Sequence, residues 1–362
     1  MPSGTISRPT DKRSTRFTMT NDPQQLDIAA LARYLQDHVP GFEGPVTAEK
    51  FSGGQSNPTF LLRTPTARYV LRRQPPGELL KSAHAVDREF RILTALSGTA
   101  VPVARPYHLC EDRAVIGSLF YVMSFEDGRI FWNPALPELS QTDRTAAYDA
   151  MLHTMAALHD IDVEAVGLAD YGKPGNYFER QIGIWTKQYR LAETERIDAM
   201  ERLIEWLPSA CPADDGKPAL VHGDFRLDNM MFEPDSTRVK AVLDWELSTL
   251  GNPLADLAYF CMCLRLPSSS SHIPGLAGQD RDALGIPQEA EMVARYCELR
   301  GLPPIENWHF YLAFSFFRLA SIAQGVKRRA LNGNASSAQA SKAGDMTGPL
   351  AEAAVRLIDT QH

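Results

Sequence analysis

Residues 220–229 read LVHGDFRLDN, and the reading of this stretch decides the fold. In one short loop it places His222, Asp224, Arg226, Asp228 and Asn229. Leu220–Val221 before it and Met230–Met231–Phe232 after it are apolar enough for buried strands, and a further apolar run, VKAVLD (239–244), ends on Asp244. The pattern is hairpin-like and predicts Asp224, Asn229 and Asp244 together at one end. Two readings of the loop by itself are open. Asp and Asn favour tight turns and caps, where their side chains bond nearby backbone. Alternatively, the Asp244 carboxylate and Asn229 amide oxygen are hard ligands for Mg²⁺, with waters and phosphates completing the shell. Asp224 is then a second carboxylate, able to orient an attacking hydroxyl and accept its proton. Asp244 at a strand end tips the balance toward phosphoryl transfer.

The bulk numbers agree with a soluble enzyme. The chain has 362 residues, 44 % of them apolar and 22 % charged, with a formal net charge of −7, which is ordinary globular composition. That charge argues against nucleic acid or an anionic membrane as partner. Locally the balance reverses: between Arg63 and Arg91, Arg63, Arg68, Arg72, Arg73, Lys81, Arg88 and Arg91 face only Glu78, Asp87 and Glu89. A basic region in an acidic protein suits a small phosphorylated ligand, and a mixed-charge exposed face is the alternative. The five cysteines, Cys110, Cys211, Cys261, Cys263 and Cys297, lack zinc-ligand spacing and suit a reducing compartment, with cytoplasm as the expectation. No apolar run is long enough to span a bilayer.

Along the chain the texture changes once. Residues 1–22, rich in Ser, Thr and Arg, read as a flexible leader. An amphipathic helix continues to about Pro40. Strand-like runs then occupy 46–53, 57–64, 68–73, 105–111 and 118–125, with a helix over 81–97. After residues 124–130, read as a hinge, helical periodicity dominates over 140–160, 176–207, 253–266, 287–300, 305–331 and 343–359. The expected class is α+β: an N-terminal strand-rich lobe over 23–125 and a larger, mainly helical lobe over 126–362. Two lobes imply a cleft, where small ligands usually bind.

VHGDFRLDNMMF and AVLDWELSTLGNPLADLAYF together resemble the catalytic loop and metal-binding segment of the aminoglycoside phosphotransferase and choline kinase-like family, relatives of protein kinases. FSGGQSNPTFLL, YVLRRQPPG and FSFFRLASIAQG are similar to a subgroup found alone in bacteria or fused to acyl-CoA dehydrogenases. The resemblance covers nearly all of the chain after the leader. It implies a two-lobed protein kinase-like fold with a small antiparallel sheet, ATP and Mg²⁺ as cofactors, and a functional association with an acyl-CoA dehydrogenase.

The same resemblance distributes roles over the rest of the chain. FSGGQSNPTF (51–60) would cover the phosphates through Ser52, Gly53, Gly54, Ser56 and Asn57, although it lacks the G-x-G-x-x-G pattern and a plain hairpin turn is the alternative. In YVLRRQP, strand alternation leaves either Arg72 or Arg73 facing the ligand; similarity puts Arg72 at the usual lysine position with Glu89 as its ion-pair partner. An arginine there is a planar fork, better at bidentate phosphate contact but bulkier. Backbone around Met123–Phe125 would meet the adenine edge. His222 and Asp256 are expected to order the loop rather than react. Arg226 and Asp228 either touch substrate or pair with each other.

The acceptor is read from the segment after Asp244. Only LSTLGNPLA separates it from the next helix, with no A-P-E motif, so the platform for a peptide is missing and a small-molecule hydroxyl is favoured. The helix ENWHFYLAFSFFRLASIAQGVKRR is aromatic and basic, which suits an apolar acyl group on an anionic carrier, with Trp308 and Arg318 as candidate contacts. Plain helix core is the alternative for Trp308, Tyr311, Phe314 and Phe317. The subgroup resemblance implies a hydroxyacyl-CoA as the acceptor. The alternatives are an aminoglycoside, sugar or amino alcohol, or a nucleotide-binding pseudokinase with a regulatory role.

Overall fold

A computed structural model of the chain describes residues 19–20, 26–51, 57–75, 85–214, 216–270, 273–332 and 344–360. Ser52, Gly53, Gly54 and Ser56 lie outside the described residues, as does most of the segment read as a leader. The chain divides into two compact units, residues 1–91 with 105–125, and residues 92–104 with 126–362.

The first unit is built on an antiparallel sheet. Its strands are β1 (Met19–Thr20), β2 (Thr47–Phe51), β3 (Thr59–Arg63), β4 (Arg68–Arg73), β5 (Pro106–Cys110) and β6 (Phe120–Ser124), in the order β1-β2-β3-β4-β6-β5. Helix α1 (Ile28–His38) starts where the Asp27 side chain accepts from the Ala30 amide at 2.9 Å, and stops before Pro40. Its buried Leu31 and Leu35 join Phe60, Leu62, Leu71, Phe120 and Val122 in one core. The register pairs Thr59 with Arg72, Phe60 with Leu71, Leu71 with Val122, and Arg72 with Tyr121. Because side chains alternate across a strand, Phe60, Leu71, Arg73 and Phe120 share the face covered by α1, whereas Arg72 and Tyr121 share the other. That alternation answers the Arg72-or-Arg73 question: only Arg72 is on the side of Glu89.

In the second unit the helices are α3 (Gln141–His159), α4 (Tyr177–Ala192), α5 (Asp198–Ala210), α6 (Leu254–Leu264), α7 (Arg281–Leu284), α8 (Glu289–Arg300), α9 (Trp308–Leu331) and α10 (Thr347–Asp359); α2 (Val86–Leu96) precedes them. Helix α9 packs against α4, α6 and α10. Phe310, Phe314 and Phe317 on it are buried, and the first two, with Tyr311, enclose the ring of Phe178 at centroid distances of 5.1–5.5 Å. These aromatics are helix core. The expected single helix over 176–207 is two helices. Gln324 of α9 donates to the Ala192 carbonyl (2.8 Å) and the Thr194 hydroxyl (2.9 Å), so a distant side chain satisfies the groups released where α4 ends.

Five short strands carry the region around residues 222–244. β7 (Arg129–Ile130), β9 (Met230–Phe232) and β10 (Val239–Val242) form one antiparallel sheet, and β8 (Ala219–Val221) pairs with β11 (Thr249–Gly251) in another. The predicted hairpin is thus β9–β10, while residues 219–221 pair instead with a strand inside the LSTLGNPLA segment. No helix among the described residues is long and apolar enough to cross a membrane.

The sheet core makes a direct prediction. Leu71→Ala, at a fully buried position of the α1-facing core, should cost about 2–5 kcal/mol through lost burial and a residual cavity, read as a lower urea midpoint at unchanged m-value.

Candidate active site

The loop between β8 and β9 is shaped from beneath by one carboxylate. Asp256, in the first turn of α6, is fully buried. Its Oδ2 accepts from the His222 amide at 2.6 Å and its Oδ1 from the Gly223 amide at 2.8 Å. Two successive amides converge on one carboxylate only if the chain curls sharply, and Gly223 supplies that curl with φ +83°. A Cβ on Gly223 would also sit 2.6 Å from the Leu247 carbonyl oxygen. Beside these amides, His159 Nε2 lies 3.2 Å from Asp256 Oδ2, and His159 Nδ1 lies 2.6 Å from the Tyr296 hydroxyl, which Arg300 also reaches at 3.0 Å. Burial lowers the His159 pKa and keeps the imidazole neutral, so the network assigns its Nε2 proton to Asp256 and its Nδ1 lone pair to Tyr296. Burial alone would raise the Asp256 carboxyl, but the hydrogen bonds from His159 and from the His222 amide hold it below the usual carboxylate range.

His222 ties the loop forward to the segment of Asp244. Its Nε2 lies 2.8 Å from the Leu243 carbonyl and its Nδ1 accepts from the Asp224 amide at 3.2 Å. Its ring packs on Trp245 at 4.8 Å. A second tie runs from the Leu243 amide to the Asn229 carbonyl at 2.8 Å. The Asn229 Nδ2 donates to the carbonyl (2.8 Å) and Oδ2 (2.9 Å) of Asp224. With Nδ2 committed to Asp224, the amide oxygen is the end that can face a cation. Asp244 adopts φ 61°, ψ 64°, a left-handed conformation that costs of order 1–3 kcal/mol in a non-glycine residue and clusters at functional sites. Five hydrogen bonds, two of them through His222, therefore bring Asp224, Asn229 and Leu243 together.

Arg226 pairs with both Asp228 and Asp224. Arg226 Nη2 is 3.1 Å from Asp228 Oδ2, and its Nε is 3.4 Å from Asp224 Oδ1. Burial works against the Arg226 charge, but Asp224 and Asp228 outweigh it and raise its pKa further. Burial pushes the Asp228 carboxyl up, with Arg226 opposing the shift. The buried Arg226 Nε faces the Asp224 carboxylate as an ion pair without a hydrogen bond of regular geometry.

Two candidates from the C-terminal helix have other partners. Arg318 is buried, stacks between Trp185 and Tyr259 at 5.6 and 5.3 Å, and donates to the Gly223 carbonyl at 2.6 Å. It holds the loop from the side opposite Asp256. Trp308 donates to Glu289 at 2.9 Å, and Lys327 pairs with Glu195 at 2.6 Å.

In the first unit the predicted pair is formed. Arg72 Nε lies 2.7 Å from Glu89 Oε2. Glu89 is buried and also accepts from Asn57 Nδ2 (2.8 Å) and the Tyr121 hydroxyl (3.0 Å). Asn57, expected as a nucleotide contact, is fully buried and holds Glu89. Core packing accounts for the Tyr121 ring, but strand alternation does not reveal the hydroxyl's bond to Glu89. Met123 pairs across β6 with Val70 and Pro106, and the Phe125 ring lies under Arg68 at 4.3 Å.

No group of three or more His, Cys, Asp or Glu among the described residues could hold a metal ion. The donor set that does fit Mg²⁺ is the Asn229 amide oxygen with the Asp244 carboxylate, since this ion usually takes one or two protein oxygens and completes its shell with water and phosphate.

The depressed Asp256 carboxyl makes a pH prediction. Its folded pKa lies below the unfolded value of about 3.9, so its contribution is fully present above about pH 4 and is lost as pH falls through the folded pKa. Asp256→Asn should lose about 3 kcal/mol at neutral pH and unfold with a flatter pH dependence below about pH 4, measured by denaturant titration across that range. Parallel pH curves for wild type and variant would contradict the assignment.

Comparison with known proteins gives the family and the fold. The model of the phosphotransferase enzyme family matches residues 47–303. Acyl-CoA dehydrogenase family member 10 of Mus musculus is 49 % identical over 326 residues, which cover 90 % of this chain; the chain spans about 30 % of that relative's length. A crystal structure from Ralstonia eutropha JMP134, provisionally named an aminoglycoside phosphotransferase, is 50 % identical with a TM-score of 0.85, covering 92 % of this chain and 99 % of the other. Aminoglycoside phosphotransferase APH(4)-Ia, in a ternary complex with AMP-PNP and hygromycin B, shares the fold at 17 % identity and a TM-score of 0.58, with 91 % and 98 % of the two chains covered. The fold is protein kinase-like, a small antiparallel-sheet unit plus a larger mainly helical one, and the chain belongs to the phosphotransferase enzyme family.

Proposed function

We propose that the protein transfers the γ-phosphoryl group of ATP, with Mg²⁺, to a hydroxyl of a hydroxyacyl-CoA. The observation that carries the reading is the Asp224–Asn229 pair bound to the Asp244 segment through Leu243, in a chain of the phosphotransferase enzyme family. Asp224 accepts the proton of the acceptor hydroxyl as its oxygen attacks the γ-phosphorus and the bond to the bridging oxygen of ADP breaks. Asn229 Nδ2 on one carboxylate oxygen and Arg226 Nε near the other keep Asp224 oriented. Asn229 and Asp244 would hold Mg²⁺, which when bound neutralises charge developing on the phosphate oxygens.

The first unit is assigned the nucleotide. Arg72, anchored by Glu89, contacts the phosphates, and Asn57 with Tyr121 keeps Glu89 in place. Backbone around Met123–Phe125 is assigned to the adenine edge. His222, Asp256 and Arg318 shape the loop without reacting.

A small-molecule acceptor is favoured by the direct passage from Asp244 through β11 into α6, which leaves no peptide platform. The acyl-CoA part of the proposal is supported by relatives that carry acyl-CoA dehydrogenase names, such as the mouse protein. Five unpaired cysteines favour a reducing compartment, and we place the reaction in the cytoplasm.

Turnover of Mg·ATP against hydroxyacyl-CoAs, aminoglycosides, sugars and choline tests the proposal. Asp224→Ala should lower kcat by roughly 10²–10⁴ while Mg·ATP binding, followed by calorimetry, stays within about threefold of wild type. Turnover of a sugar or amino alcohol alone would replace the acceptor. Tight Mg·ATP binding with no turnover of any acceptor would replace the enzyme by a nucleotide-binding regulator.

A further inference from the structure

Away from the loop, the second unit holds a cavity of about 710 Å³ between α4, α5 and the start of α6. Its walls contain none of Asp224, Asn229 and Asp244. The floor is apolar, formed by Phe178, Ile182, Ile204, Pro208 and Pro212. A shallower recess of about 480 Å³ continues it, sharing Gly183 and adding Arg180. The volume lies in the range of small-molecule sites, and an apolar floor with a few polar groups at the rim is their usual chemistry.

Two residues in these walls are unfavourable for the helices that carry them. Pro208 lies inside α5, where it removes the amide that would bond the Ile204 carbonyl, and Ile204 also lines the cavity. Gly183 lies in the middle of α4, where glycine is a poor helix former. Neither backbone conformation nor packing demands that glycine: its φ is not positive, and a Cβ built on it meets nothing within 4 Å. Gly183 is exposed, and among the described residues none fills the space beside its Cα.

Acid and base balance at the rim, with Glu179 and Asp214 against Lys187 and Arg180; the Asp214 oxygens accept from the Tyr177 amide (3.1 Å) and the Gly216 amide (2.7 Å). Arg180 donates to the carbonyls of Lys173 (2.7 Å) and Pro174 (3.3 Å) rather than to a carboxylate. The cavity also touches the machinery of the loop. Asn252 in its wall comes directly after β11, the partner of the strand leading into His222, and a Cβ on Gly251 would lie 2.6 Å from the Tyr177 ring.

We propose that this cavity binds the alkyl chain of an acyl thioester, with the anionic carrier held at the rim by Arg180 and Lys187. The proposal rests on the acyl-CoA reading of the acceptor and names where its chain lies. Burial of a chain is worth about 0.8 kcal/mol per methylene, so affinity should rise steeply with chain length until the space is filled.

The test is calorimetric binding of decanoyl-CoA and butyryl-CoA, which carry no hydroxyl and need no turnover. Wild type and Gly183→Ala should bind decanoyl-CoA at least about tenfold more tightly than butyryl-CoA. Gly183→Trp, whose indole enters open space, should weaken decanoyl-CoA at least about tenfold and leave butyryl-CoA within about twofold. Lys187→Glu should weaken both probes alike. An unchanged decanoyl-CoA affinity in Gly183→Trp, or binding of neither probe by wild type, overturns the assignment. If binding shows the expected pattern but no hydroxyacyl-CoA is phosphorylated, the cavity assignment stands and the phosphorylation reading fails. If hydroxyacyl-CoAs are phosphorylated with the same chain-length profile in wild type and Gly183→Trp, the cavity assignment fails by itself.

Discussion

A fully buried carboxylate governs the geometry around residue 222. Asp256 takes two backbone amides of the loop and the imidazole of His159, and such a charge is tolerated in the interior only when its oxygens are fully bonded. The requirement runs in both directions. The loop must curl at Gly223 to deliver the two amides, and once curled it aims His222 at Leu243 and Asp224 at Asn229. Arg318 closes the arrangement on the Gly223 carbonyl. Asp224 and Asn229 are thus positioned by groups that lie behind the loop.

Glu89 plays the equivalent part in the sheet unit. It gathers Arg72, Asn57 and Tyr121, three donors from three strands or their edges, so the guanidinium is held by a shared acceptor rather than by an isolated pair. An arginine in place of the usual lysine is less disruptive here than its bulk suggests. The planar fork has both the Glu89 carboxylate and the Thr59 hydroxyl (3.4 Å) to work against.

Legibility tracks locality. The sheet strands, α1, α3 and α9 are readable because their signals lie within the segment: alternation, periodicity and caps. Spacing and side-chain chemistry single out Asp224, Asn229 and Asp244 as candidates, whereas Arg72 and Glu89 come from the family resemblance. The break between α4 and α5 is not legible, because its cap is a glutamine more than a hundred residues further on. The pairing of β8 with β11 escapes for a similar reason, since three-residue strands carry almost no periodic signal. Charge alone makes Arg318 look like a ligand contact. Nothing local indicates that this charge is turned inward onto a glycine carbonyl.

By itself the sequence determined the class of the protein and the identity of the groups around residues 222–244, because hard-oxygen chemistry and strand alternation are properties of residue type and spacing. Tertiary structure decided which of those groups face one another. It sent Arg72 to Glu89 and Arg73 into the α1-facing core, turned Asn57 and Arg318 from ligand contacts into braces, and opened a cavity at Gly183 that no motif announced. Each of these depends on what a side chain meets after burial, and the partner met is set by elements distant in sequence.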